Sequence, residues 1–349
     1  MGLVQYHPAV SRSSAPLCSI CVANYDGVAL LKDCLDSIFA QSFDAEFEVI
    51  IHDDASSDDS VSWLLEHYPN IELLASQENV GFCISNNRMA AHARGEYLLL
   101  LNNDAALHPG ALTALLNVAR KQDPAGIVTL PQYDWESGTL VDRGCLIDPF
   151  YNPIPNLDSS RQNVAMVIGA CLLLPRTLWS QLGGFPEWFG SIGEDLYLCC
   201  QARLRGFPVQ VATDSGYRHR QGASFGGNRA TLGQLHTTYR RRALSERNKT
   251  YTLMVMTPSV FMWPLLALHL IVLALEGMVL SLLKSDRLIW SKVYWPSMTS
   301  LASSWSELRK QRRHEQIQRR IALHQYMKTT RMQLRKLSML WRHGIPKIS

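Results

Sequence analysis

Gly95-Glu96-Tyr97-Leu98-Leu99-Leu100-Leu101-Asn102-Asn103-Asp104 is the stretch on which the fold turns. An unbroken apolar run of strand length, with no alternation, needs cover on both faces, as in a central strand of a parallel sheet. The run ends abruptly in three polar residues. In open α/β sheets ligands bind beyond the carboxyl ends of the strands. Residues 96–101 therefore predict a buried strand, and Asn102-Asn103-Asp104 a site at its end.

The same unit recurs upstream. Leu17–Ala23, Phe47–Ile51 and Ile71–Ala75 are short apolar runs, read as strands. Leu30, Leu31, Cys34, Leu35, Ile38 and Phe39 recur at helical spacing, as do Val61, Leu64 and Leu65. Residues 86–94 predict a helix. Another is expected to run to about Lys121, with Pro109 just inside its start. Strands alternating with helices predict an α/β fold: a Rossmann-like, mostly parallel central sheet covered on both faces. The polar groups Asn24-Tyr25-Asp26-Gly27, Asp53-Asp54 and Asn102-Asn103-Asp104 all fall at strand ends, which is the main argument for a site there.

Downstream, 132–163 is rich in Pro, Asp and Asn and predicts loops and irregular strands. Residues 166–174 and 208–211 return to strand character, and 193–206 to a helix. Residues 1–16 lack periodicity and predict a flexible leader. The expected division is a leader at 1–16, a catalytic domain at 17–250, an apolar membrane-associated helical segment at 251–300 and a basic helical tail at 301–349.

The 349 residues are 47% hydrophobic and 18% charged. The net charge of +4 is unevenly spread: from Lys284 onward there are 15 Lys and Arg against 3 Asp and Glu. An acidic body with a basic tail implies two parts with different partners. The acidic body, without a base-stacking motif, argues against nucleic acid. The eight cysteines are irregularly spaced. Cys18 and Cys21 lie three apart in a strand, hence on opposite faces, a poor geometry for ligation; reduced core thiols are expected. The opening Met-Gly-Leu-Val-Gln-Tyr-His-Pro shows no charged and then apolar secretion signal, so a cytoplasmic protein is expected.

Residues 259–283 are apolar enough in length to span a bilayer. His269 and Glu276, seven apart on one helical face, and the basic tail that follows favour an interfacial or re-entrant segment over a span or a buried core helix. Residues 305–341 read as one basic helix with a loose apolar stripe. On it Arg312, Arg313, Arg319 and Arg320 attract anionic lipid; the alternative is packing on a partner subunit in a homo-oligomer.

Three side-chain groups carry chemistry. A carboxylate just past a buried strand, Asp104, suits a hard divalent cation, Mg or Mn; the alternative is a solvated turn aspartate. Glu194 and Asp195 open a helix whose dipole favours their anions, and an ionised carboxylate there can act as a general base; ordinary N-terminal charge complementarity is the alternative. His219, after a strand, is a candidate metal ligand or a structural histidine.

The order of these pieces resembles the family 2 glycosyltransferases of GT-A fold, particularly the rhamnosyltransferase-like branch. The family's strand followed by Asn-Tyr-Asn-Gly corresponds to Asn24-Tyr25-Asp26-Gly27. Its Val-Asp-Asn-Gly-Ser segment corresponds to His52-Asp53-Asp54-Ala55-Ser56. Asn79-Val80-Gly81-Phe82, Asn86-Asn87, Gly95 through Asp104, Gly169-Ala170, Gly183-Gly184-Phe185, Gly193-Glu194-Asp195 and His219 with Gly222 and Ser224 follow in the family's order. The resemblance covers about residues 17–250.

The resemblance implies an inverting, metal-dependent enzyme that moves a sugar, such as the deoxyhexose rhamnose, from a nucleotide-sugar donor. The implied acceptor is a glycan or lipid-linked molecule of cell-surface polysaccharide or glycolipid synthesis, met at the inner face of the membrane. Asp195, or its neighbour Glu194, is the implied base, and Asp104 with His219 the implied cation site. Nucleotide contacts are expected from Asn24, Asp26, Asp53, Asn87, Arg88 and Asn103. The cation motif opens on Asn102 instead of the family's Asp, leaving fewer protein charges, and Arg88 would offset that. Two other readings are transfer to polyprenyl phosphate and a non-catalytic membrane scaffold that kept the fold.

Overall fold

The computed structural model describes residues 3–222, 227–231, 234–258 and 261–349. Ser224 and Ser259, used above, lie outside the described residues.

The leucine run becomes the middle of an eight-stranded sheet. In chain order the first elements are β1 (Val4–His7), β2 (Cys18–Asn24), α1 (Val28–Phe39), β3 (Phe47–Asp53), α2 (Ser60–His67), β4 (Glu72–Ser76), α3 (Phe82–His92) and β5 (Tyr97–Asn102). Then come β6 (Ala105–Leu107), α4 (Ala111–Lys121), β7 (Ile127–Thr129), β8 (Gln132–Asp134), β9 (Leu140–Asp142), β10 (Cys145–Ile147), β11 (Pro153–Pro155), β12 (Cys171–Pro175), α5 (Arg176–Leu182), α6 (Glu194–Leu204), β13 (Val209–Val211) and β14 (Tyr217–His219). The main sheet has the order β1-β4-β3-β2-β5-β12-β7-β13. β4, β3, β2 and β5 are mutually parallel. β12 runs antiparallel to both β5 and β7.

Alternation along each strand divides the core in two. Cys21, Ile50, Leu98 and Leu100 pack with Cys83 and Met89 of α3 and with α6. Cys18, Ile20, Leu99 and Leu101 pack with Leu31, Leu35 and Ile38 of α1 and with Leu112 and Leu115 of α4. Each fully buried leucine contributes about 1.5–3 kcal/mol of transfer free energy. All eight cysteines are buried thiols, with Cys18 and Cys21 on opposite faces as expected.

In this part of the chain three expectations need correction. Residues 4–7 are not a loose leader. They form an edge strand antiparallel to β4, held by the Tyr6 hydroxyl to Glu72 at 3.0 Å and by Arg12 to Glu72 at 3.3 Å. Pro109 precedes its helix: α4 starts at Ala111, after Gly110 at a φ of 73°. The strand predicted from residue 166 begins only at Cys171, after the turn that places Gly169 at the sheet end.

The C-terminal part contains β15 (Gly227–Thr231), β16 (Gln234–Thr237), α7 (Tyr239–Met256), α8 (Met262–Leu283), α9 (Arg287–Ile289), α10 (Trp295–Ser303), α11 (Trp305–Ile317), α12 (Leu323–Tyr326), α13 (Arg335–His343) and, as β17, Lys347–Ile348. The single basic helix expected over 305–341 is therefore three pieces. Tertiary bonds override its local propensity: Arg320 N–H donates to Leu204 O at 3.0 Å, Arg331 N–H to Ile147 O at 2.8 Å, and Tyr326 is fully buried. Arg312 is not turned towards lipid. It donates to the carbonyls of Met254 and Thr257 at the end of α7, at 2.8 and 2.7 Å.

Among the described residues one helix, α8, is long and apolar enough to cross a membrane, with a mean hydropathy of 2.3. Its polar face is turned to protein. His269 Nε2 meets Thr250 Oγ1 at 2.8 Å, and Glu276 accepts from Arg242 at 2.6 Å.

Candidate active site

The parallel register sets Asn24 beside Asp53 and Ala23 beside Asn102, so the polar strand ends come into line. Asn24 is the hub. Its amide donates to Asp53 Oδ2 at 2.9 Å, and its Oδ1 accepts from Asn103 Nδ2 at 2.8 Å. Gly27 makes room for this pair: a Cβ there would lie 2.3 Å from Asn103 Nδ2 and 2.5 Å from Asn24 Oδ1. Asp53 is buried and accepts from Ser56 N–H and Oγ at 3.0 and 2.7 Å, shaping the turn. Asp26, at a φ of 45°, accepts from Ser57 N–H at 2.6 Å. These two aspartates hold loop to loop. Asp54, noted at a strand end but given no contact role in the sequence, lines the cavity and accepts from Val80 and Gly81 N–H at 2.7 and 2.8 Å. Burial pushes its carboxyl up.

Asp104 and His219, 115 residues apart, meet through the small sheet β6-β14-β8-β9. β14 pairs antiparallel with β6, placing His219 opposite Ala105. His219 Nε2 lies 3.1 Å from Asp104 Oδ1, and its Nδ1 is 3.4 Å from Gln132 Oε1, which also accepts from the Tyr217 hydroxyl. Both side chains line the cavity and both are buried. Asp142, on β9, lines it too, and burial pushes its carboxyl up to about 7. Among the described residues no three His, Cys, Asp or Glu side chains cluster as a metal site; Asp104 and His219 are two candidate ligands, so a cation held here would take its remaining oxygens from phosphate.

Elsewhere in the same cavity lining, Gly193 at a φ of 90° turns the chain into α6 and presents Glu194 and Asp195. Asp195 Oδ2 accepts from Gly169 N–H at 3.1 Å, and Oδ1 from Leu196 N–H at 2.7 Å. Burial, then the neighbouring Asp195, pushes Glu194 up to about 8; burial also raises Asp195. Arg241 of α7 partly counters this with its positive charge. The loop leading into Gly193 is pinned by Asn248, whose amide donates to Ile192 O at 2.7 Å and Ser191 O at 3.0 Å. No motif in the sequence marks Asn248 or Arg241, because both act across a long separation in chain.

Asn24, Asp54, Asn103, Asp104, Glu194, Asp195 and His219 thus share one cavity of about 1430 Å³. Asp26, Asp53, Asn87 and Arg88, expected at the nucleotide, are not among its lining residues. Asn87 is engaged with Phe185, donating to its carbonyl and accepting its N–H, each at 2.9 Å. Arg88 Nη1 lies 3.3 Å from both His52 Nε2 and Ser76 Oγ. Burial and that guanidinium hold His52 down at about 4.

A mixed sheet covered on both faces, with polar strand ends lining one cavity, is the architecture of the GT-A fold. A crystal structure of GalNAc-T7 with UDP, GalNAc and Mn2+ matches at a TM-score of 0.61 and 12% identity, over 96% of this chain and 59% of that one. S. aureus TarS in complex with UDP-GlcNAc matches at 0.51 and 16%, over 72% of this chain and 71% of that one. Residues 19–183, just under half of the chain, match the family described as Glycosyl transferase family 2.

Its relatives include the O-antigen biosynthesis protein RfbC of Myxococcus xanthus, 27% identical over 63% of this chain and 18% of that protein. Another is the N-acetylglucosaminyl-diphospho-decaprenol L-rhamnosyltransferase of Mycobacterium tuberculosis, 27% identical over 43% of this chain and 59% of that protein. The chain thus spans less than two thirds of either relative's length.

Proposed function

We propose that the protein is an inverting glycosyltransferase that moves a sugar, of which rhamnose is one candidate, from a nucleotide-sugar to a hydroxyl of a cell-surface glycan or glycolipid precursor. The observation that carries this reading is the convergence of Asp104, His219, Glu194 and Asp195 on one cavity. The family match and a relative that is an L-rhamnosyltransferase support it.

The nucleotide lies along the strand ends, where Asn24, Asn103 and Asp54 offer polar contacts. Asp53 and Asp26 act one step back by holding the loops that meet it, and Asn87 and Arg88 by holding α3. Asp104 and His219 would hold a divalent cation, which supplies positive charge to the diphosphate as it leaves.

Asp195 takes the proton of the acceptor hydroxyl. The oxygen forms its bond to the anomeric carbon from the face opposite the diphosphate, the bond from that carbon to the phosphate oxygen breaks, and configuration inverts. General base catalysis of this kind contributes about 10²–10⁴ in rate. Two backbone N–H donors keep the Asp195 carboxylate aimed while it is charged. Glu194 beside it favours proton capture through its like charge.

Attachment to the inner face of the membrane is part of the reading. Leu268, Ile271 and Leu282 of α8 and Trp263, Trp295 and Trp341 are exposed, and Arg313, Arg319 and Arg320 add basic charge. The test is calorimetry with UDP, dTDP and GDP in Mn2+, followed by donor hydrolysis with the sugars of whichever binds. Binding of none overturns the transferase reading.

A further inference from the structure

Helix α8 carries two neighbouring stripes. Leu266, His269, Leu273, Gly277 and Leu280 are buried against the protein. Val272, Leu275, Val279 and Leu283 form the second, at the three- and four-residue spacing of one helix face. This second stripe lines the same cavity as Glu194 and Asp195, yet Leu275, Val279 and Leu283 are 53%, 50% and 62% exposed. Helix α13 contributes Leu337 and Leu340, and Leu334 just before it, at the same spacing to the same cavity. The two helices are tied together by Lys336, which reaches both Glu276 on α8 and Glu246 on α7. The result is an apolar trough with a polar floor, continuous with the acidic pair.

Cations stand at the catalytic end. Arg240 and Arg241, in the first turn of α7, line the cavity, and the charge of Arg241 acts on Glu194 and Asp195. Five residues of helix, about 7.5 Å of rise, separate Arg241 from Glu246, where the trough's tether begins. Going outward from the carboxylates, a ligand therefore meets a base, then guanidinium groups, then hydrocarbon. A free glycan has nothing to place against exposed leucine, and a bare phosphate has no use for it.

We propose that the acceptor is lipid-linked, with its hydrocarbon chain in the trough between α8 and α13 and with Arg240 and Arg241 holding the phosphoryl group that joins chain to sugar. This rests on the transferase reading and commits its acceptor to one class. Only the headgroup hydroxyl reaches Asp195; the chain serves as the handle that brings it there.

The test is photolabelling of the full-length protein with a diazirine-bearing dodecyl diphosphate below its micellar concentration, read by peptide mass spectrometry. Label is expected within 272–283 and 334–346. Dodecyl diphosphate should compete at least about tenfold better than octyl diphosphate, since each buried methylene adds to affinity. Leu340→Asp, or the milder Leu337→Gln, should cut labelling about tenfold while UDP–Mn2+ affinity stays within about twofold, which also reports that the variant is folded.

Label elsewhere, or competition by inorganic pyrophosphate equal to that by dodecyl diphosphate, overturns the proposal. So does equal competition by phosphatidylglycerol vesicles, which would make the trough a membrane-docking face. Trough labelling in a protein that binds no nucleoside diphosphate would support the trough and overturn the donor reading, so the two failures are distinguishable.

Discussion

His219 Nε2 lies 3.1 Å from Asp104 Oδ1, across a two-strand pairing that joins the middle of the chain to a segment 115 residues later. The imidazole is oriented from behind by Gln132, as second-layer partners orient metal-binding histidines. Asp104→Asn keeps the volume and removes the charge. Sugar transfer should fall by about 10²–10³, the usual loss when a group that stabilises a leaving anion is removed. UDP affinity should lose its dependence on Mn2+, while the thermal unfolding midpoint changes little. Titration calorimetry with and without Mn2+ checks this; undiminished metal dependence would remove Asp104 from the cation site.

The acidic pair gives a pH signature. Glu194 is raised from an ordinary 4.5 to about 8 and Asp195 is raised with it. A base must be ionised to work, so transfer should increase with pH through the neutral to mildly alkaline range. The stability sign is the opposite. Between pH 4.5 and about 8 the folded state binds more protons than the unfolded state, so stability declines as pH rises through that window. Glu194→Gln should flatten this decline and move the activity limb to lower pH. Denaturant unfolding at pH 5 and pH 9, beside a pH–rate profile, measures both.

Asn248 holds the acidic pair without touching it. Its amide donates to the carbonyls of Ile192 and Ser191, just ahead of Gly193 and Glu194. Asn248→Ala leaves those part-buried carbonyls short of donors, at a cost of about 1 kcal/mol. The expected kinetic result is a lower kcat with the donor KM nearly unchanged, since Asn24, Asp54 and Asn103, proposed for the nucleotide, lie on or just beyond other strands. A raised donor KM with normal kcat would contradict this positioning role.

Much of this was legible in the sequence for a physical reason. The parallel core rests on local signals, an apolar run and a polar stop, and β2, β3, β4 and β5 lie within a few residues of where those signals put them. Asp104 and Glu194-Asp195 stood out because a strand end and a helix start are local events. What was missed is non-local. Residues 4–7 have weak alternation and become a strand because β4 offers an edge. Asn87 resembled a ligand contact, yet it bonds Phe185, 98 residues away. Arg312, read as a lipid contact by charge alone, caps α7. In each case a partner distant in the chain, invisible to periodicity, decided what the side chain does.

The C-terminal region is built into the α/β body. Tyr326 is fully buried, its ring under the Arg203 guanidinium at 4.5 Å and its hydroxyl 3.3 Å from that of Tyr151. Glu315 pairs with Arg205 at 3.0 Å and accepts from Gln201 at 2.9 Å, on the same helix as Glu194 and Asp195. Emptying the Tyr326 site should cost about 3–5 kcal/mol, as for other large buried aromatics cut to alanine. Because Arg203 belongs to α6, the loss should reach the active site. Tyr326→Ala is expected to lower the unfolding midpoint and to reduce donor hydrolysis together, whereas Trp341→Ala, at an 88% exposed position, should leave the midpoint unchanged and weaken vesicle binding only. Thermal unfolding of the two variants, beside flotation with anionic vesicles, separates the structural part of this region from its surface.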